Sequence, residues 1–273
     1  MLHSLKTLDG FVIGARDGNL GRVKDIYFDD SHWTVRFLEV DTGGLMGGRR
    51  VLISPHAVIA VDWEGAEVTV DLTRQQVHDS PGIDSAVPVA RQHEAAIFNY
   101  YGYPYYWTGP FIWGYTAVPT MEIATARPPV MLQDDAQDQA QEDLPEQAAD
   151  GVAAADPHLR SKDEVVGYGI QAADDYFGRV ADFLIDEQTW SIRLIVVDTK
   201  SWWPGGKVLV SPARVKEVSW EERSLVLDLT RDQVEHSPEY DPAHPPAEDD
   251  FQEIYRGAGH GPAAAEPRRP HAG

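Results

Sequence analysis

Carboxylates and histidines are the groups best able to do chemistry in this chain. Its 273 residues include 44 Asp plus Glu, ten His and no Cys. Two facing carboxylates can run acid–base chemistry, and histidines at helical spacing can hold a metal. Neither arrangement is present as a motif. No two histidines stand in His-x-x-x-His order. There is no Gly-x-Ser-x-Gly, no phosphate loop and no dinucleotide fingerprint. The absence of cysteine excludes thiolate ligation, cysteine catalysis and a disulfide scaffold. No catalytic, cofactor or metal residue is therefore assigned; the chain is expected to be a non-enzyme without a cofactor. Its net charge of −21 argues against nucleic acid as a partner, which demands a basic face.

Positioning begins with a repeat. Residues 21–81 align with 178–238 at a constant offset of 157 without a gap, and 27 of the 61 positions are identical. Gly21-Arg22-Val23 returns as Gly178-Arg179-Val180, Val40-Asp41-Thr42 as Val197-Asp198-Thr199, and Asp71-Leu72-Thr73-Arg74 as Asp228-Leu229-Thr230-Arg231. The register extends back to Ser4/Ser161, Gly10/Gly167 and Ile13/Ile170. Two copies of one domain of about 80 residues follow, each large enough to bury its own core. The glycine pairs at 43–44 and 47–48 superficially resemble a phosphate cradle. Their equivalents run Lys200-Ser201-Trp202-Trp203-Pro204-Gly205, which fits a hairpin connection.

Each copy reads as short strands with frequent turns. Strands are expected at 23–28, 33–40, 50–53 and 68–72, and in the second copy at 180–185, 190–197, 207–210 and 225–229. This suggests a small antiparallel barrel or sandwich. Thr73-x-x-Gln76 and Thr230-x-x-Gln233 are capping boxes, so each copy closes on a short helix. The strand Trp33–Val40 and its equivalent Trp190–Val197 are apolar on both faces, around Arg36 and Arg193. Such strands need cover on both sides. The other copy, the connector or a partner subunit are the candidates. The paired polar residues Arg22/Arg179, Asp25/Asp182, Arg36/Arg193, Asp41/Asp198 and Arg74/Arg231 read best as ion pairs and turn anchors.

Between the copies, residues 95–121 carry no charge and ten aromatics. Three prolines and six tyrosines argue against a membrane span. Tyr105, Tyr106, Trp107 and Trp113 fit either an aromatic strap on a barrel or a partner-binding surface. Trp202 and Trp203 fit a binding anchor or a cap on the second barrel.

The runs Gly21-Arg22-Val23-x-Asp25 and Val51-Leu52-Ile53-Ser54-Pro55, with Val208-Leu209-Val210-Ser211-Pro212 in the second copy, resemble the PRC-barrel domain. That family includes the cytoplasmic domain of the photosynthetic reaction-centre H subunit and the C-terminal domain of the ribosome maturation factor RimM. The resemblance implies a mainly all-β fold: two small antiparallel PRC-type β-barrels in tandem, each ending in a short helix. It also implies docking on proteins without catalysis.

The expected organisation is a first barrel at 1–84, an aromatic connector packing on a barrel at 85–130 and an acidic flexible linker at 131–157. A second barrel follows at 158–240, then a mostly disordered tail at 241–273. The expected function is protein–protein interaction or assembly in the bacterial cytoplasm. The partner would be another protein or a second copy, bound through the barrel faces. The candidate surface is Trp33, Arg36, Trp190, Arg193, Trp202, Trp203, Tyr105, Tyr106, Trp107 and Trp113. The alternatives are an accessory subunit of a membrane electron-transfer complex, peripherally associated, and a small-ligand binder or enzyme. Met1–Gly10 has no basic segment leading into an apolar core, so no secretory signal is expected.

Overall fold

A computed structural model describes residues 1–43, 48–83, 89, 91–119, 159–199, 206–244 and 246. The fold is mainly β, with two seven-stranded sheets of matching strand order. The chain divides into two compact units that do not follow the repeat boundaries. The larger is Ser4–Val166 with Ile185–Ile192. The smaller is Met1–His3, Gly167–Leu184 and Arg193–Gly273.

In the larger unit the strands are β2 (Val12–Ala15), β3 (Gly18–Asp29), β4 (Thr34–Asp41), β5 (Arg50–Ile53), β6 (Val58–Asp62) and β7 (Glu67–Val70). Their order is β5-β4-β3-β2-β7-β6, and β8 (Leu159–Ser161) pairs with β3 off this path. All neighbours are antiparallel except β2 and β7. The capping box forms as expected: the Thr73 side chain accepts from the Gln76 N–H, and Gln76 reaches back, opening α1 (Arg74–Asp79). α3 (Lys162–Val165) buries Val165 and Lys162, whose Nζ bonds both Asp9 oxygens at 2.6 Å.

The second sheet, most of which lies in the smaller unit, repeats that order with β9 (Gly169–Gln171), β10 (Tyr176–Asp186), β11 (Ile192–Asp198), β12 (Lys207–Val210), β13 (Val215–Ser219) and β14 (Ser224–Leu227), and β1 (Leu2–Ser4) pairs with β10. Leu2, Leu184, Leu194, Val196 and Leu209 form one buried cluster, with Tyr240 against it. The second capping box, Thr230 with Gln233, opens α4 (Arg231–Glu235).

Backbone details recur with the sequence. Trp33 and Trp190 take left-handed φ of 50° and 58°, and Ala66 and Arg223 take 53° and 49°. A side chain is strained there, so a turn kept at the same two positions of both copies is set by the surrounding fold. Gly21 shows the opposite solution. Its φ is 149°, and a Cβ would collide with the backbone carbonyl of Asp41.

The connector 85–130 is not irregular throughout its described residues. It begins with α2 (Arg91–Tyr101), which buries Glu94, Ile97 and Phe98 on one face. Spacing of three and four residues puts those side chains together. Gly102, with φ of 71°, ends the helix two residues before Pro104. The prolines and glycines that break helices lie beyond it.

Candidate functional site

The polar interior of the larger unit lies beneath the connector. All residues of β4 from Thr34 to Val40 are buried, including Arg36 at 0 % and Glu39 at 1 % exposure. α2 lays Phe98 edge-on against Phe37, with ring centroids 5.8 Å apart. Next to it, the Arg36 guanidinium lies 3.7 Å from the Tyr106 ring centroid and 4.8 Å from that of Trp113. A desolvated cation between two rings gains from both π faces.

Arg36 also donates from Nη2 to Asp29 Oδ2 at 3.1 Å and from Nη1 to the Ile112 carbonyl at 2.5 Å. It thereby ties β4 to β3 and to the connector at once. Burial drags the Arg36 pKa below its usual value while Asp29 opposes the shift. For Asp29, burial acts upward, but Arg36, His32 and the Ser31 N–H outweigh it and leave the carboxyl lowered.

A second buried acid completes the layer. Glu94 is 2 % exposed; it accepts from Tyr106 Oη at 2.5 Å and pairs with Arg91 at 3.4 Å. Burial pushes its pKa to about 7, against the pull of Arg91. The phenol of Tyr106 is raised too, by burial and then by Glu94. His56 sits among Phe98, Tyr103 and Trp113, with centroids 5.8, 5.1 and 4.9 Å away. Burial and Arg36 hold it neutral, with a pKa of about 4. His56 Nε2 and Arg36 Nε lack hydrogen-bond partners.

Shifted acids of this kind are frequent in active sites. Here each is closed in by aromatic rings and engaged with another side chain, so the arrangement holds a cover in place. The cover also reaches other elements: Trp113 Nε1 donates to the Thr189 carbonyl at 2.8 Å, and Tyr100 Oη to the Gln76 carbonyl at 2.8 Å. On β4, Glu39 accepts from Tyr27 Oη at 3.2 Å and from Arg50 at 2.8 Å. Among the described residues, no three His, Asp or Glu side chains converge as a metal ion requires.

The candidate surface residues separate by burial. Arg36, Tyr106, Trp113 and Trp190 are interior, at 0, 3, 0 and 3 % exposure. These four are buried within the larger unit, where the Trp190 carbonyl accepts from the Val35 N–H of β4 at 2.9 Å. Trp33, Tyr105, Trp107 and Arg193 are half-buried. Tyr105 and Trp107 stack on each other at 4.5 Å, with Arg91 over Trp107 at 4.5 Å. Trp202 and Trp203, like the acidic spacer 131–157, lie outside the described residues. Among the described residues, the aromatics left most open are Phe111 and Tyr115, 55 and 69 % exposed, at the turn closed by the Phe111–Gly114 bridge.

Sequence reasoning did not single out Asp29, Glu39, His56, Arg91 or Glu94. A signal existed for Glu39, an acid inside an otherwise apolar strand. Glu94 had a local signal in Arg91 one helical turn before it; His56 had none, because its ring partners Phe98, Tyr103 and Trp113 lie far along the chain.

The larger unit holds, in order, β2 to α1 around this layer. Residues 9–77 match the family model of the PRC-barrel domain. The match runs from the turn before β2 to the last buried residue of α1, so Asp29, Arg36, Glu39 and His56 lie within the matched residues. Arg91, Glu94 and the aromatic cover are additions beyond it. No curated protein matches the chain. Among the described residues, no helix is long and apolar enough to cross a membrane.

Proposed function

We propose that this chain is a non-enzymatic assembly module made of two PRC-type barrels, of which the first presents its aromatic cover to a protein partner. The gapless repeat supports a PRC-type second barrel. The observation carrying the binding role is the contrast within the cover. Arg36, Glu94 and Tyr106 make their polar and cationic contacts in its interior, while Phe111 and Tyr115 stand exposed at its turn. Exposed aromatics on a rigid base lose little freedom on binding and suit a protein interface.

The test is affinity capture with the full chain, comparing wild type with a Phe111→Ser/Tyr115→Ser variant. The reading expects the captured protein to be lost from the variant while its melting temperature stays within a degree or two. Equal capture by both chains would refute it.

A further inference from the structure

The gapless repeat makes Leu2-His3-Ser4 and Leu159-Arg160-Ser161 equivalent segments. Neither repeat keeps its own. β8, carried by the second repeat, lies on β3 of the first, with Tyr27 opposite Ser161, Phe28 opposite Arg160 and Asp29 opposite Leu159. β1, carried by the first repeat, lies on β10 of the second and contributes Leu2 to its buried cluster.

The acceptor at β3 holds what it receives through side chains as well as backbone. Ser161 Oγ donates to Asp25, Arg160 Nε to Asp30, both at 2.5 Å, and Leu159 is 2 % exposed. Equivalent residues also bond reciprocally. Thr34 bridges Ser191; the Val35 N–H donates to the Trp190 carbonyl at 2.9 Å, and the Ile192 N–H to the Trp33 carbonyl at 2.6 Å. Contacts in which residue i meets the equivalent of j, and j that of i, are those of an isologous dimer.

We propose that β3 is a strand-docking site whose alternative occupant is the Leu159–Ser161 strand of a second copy of this chain, so that the protein self-associates by strand exchange. The bonds made are the same whichever chain supplies the strand; only the tether favours the internal one. A tethered segment acts at an effective concentration on the order of 1 mM. Exchange should therefore appear when the chain refolds near that concentration. This assembly is independent of the exposed Phe111–Tyr115 turn, so either reading can fail alone.

The chain has no cysteine, which makes disulfide trapping clean. Tyr27 and Ser161 lie directly opposite in an antiparallel pair, within reach of a disulfide. Full-length Tyr27→Cys and Ser161→Cys chains are mixed, refolded together from urea and oxidised. A covalent dimer is expected after refolding at about 1 mM and at least tenfold less at about 1 µM. It should be absent when Leu159→Cys replaces Ser161→Cys, two residues out of register. A Tyr27→Cys/Ser161→Cys double variant serves as the folding check and should close an internal disulfide. No dimer at either concentration, with the internal disulfide formed, overturns the proposal. Failure of the internal disulfide overturns the strand placement on which it rests.

Discussion

β4 and β11 hold equivalent places in their sheets but are covered differently. On β4, Arg36, Phe37 and Glu39 lie under an aromatic connector, with Asp29, Glu94 and Tyr106 as partners. On β11 the same places hold Arg193, Leu194 and Val196. Leu194 and Val196 pack with Leu2 and Leu209, and Arg193 is only half-buried. His56 likewise has Ala213 as its counterpart. One backbone thus accepts either an apolar cover or a charged, aromatic one. The charged version needs a partner for each charge it buries, since an unpaired buried charge costs several kcal/mol. The connector supplies Glu94, Tyr106 and the Ile112 carbonyl, which makes it part of the fold of the larger unit.

The sharpest way to break the comparison is to substitute the two arginines. Arg36→Met leaves Asp29 buried without its main partner and should cost about 3–5 kcal/mol in urea unfolding. Arg193→Met should cost about 1 kcal/mol or less, as expected for a half-buried position. Equal costs would show that the cover makes no difference.

Trp113→Ala comes next, at about 3–4 kcal/mol by thermal denaturation. It removes a fully buried ring together with its bond to Thr189.

The pH dependence separates two buried groups of opposite sign. Glu94 is raised from 4.5 to about 7, so the folded chain holds its proton more tightly. Its contribution is full below 4.5 and is lost as pH rises through 7. His56 is lowered from 6.5 to about 4, so its contribution is full above 6.5 and is lost as pH falls toward 4. In the wild type the two oppose each other. Glu94→Gln should expose the histidine: between pH 4.5 and 7.5 the variant should gain about 2–3 kcal/mol relative to wild type, measured by urea unfolding. His56→Phe should give the reverse trend. The second repeat has neither group.

The smallest effect lies where the copies agree. Thr73→Ala and Thr230→Ala each remove a capping box and should cost about 1 kcal/mol apiece.

The tandem β architecture was legible because the repeat, the period-two runs and both capping boxes act over short distances. That something had to cover the two-faced strand was legible as well. The identity of the cover was not. Phe98 reaches Phe37 across 61 residues and Ile112 reaches Arg36 across 76, separations over which local patterns carry no information. The exchanged strands were hidden for a related reason. Three residues are too few for a periodic signal, and their pairing is decided by which acceptor buries the leucine.

Hydrogen exchange on the full-length chain, wild type against Arg36→Met, tests most directly whether the connector is built into the larger unit through the buried arginine. The account predicts strong protection of residues 97–98 and 113–114 in the wild type. In the variant that protection should fall at least tenfold together with β4, while β10 to β12 stay unchanged. A connector that exchanges freely in the wild type, or one as protected in Arg36→Met as before, would contradict it.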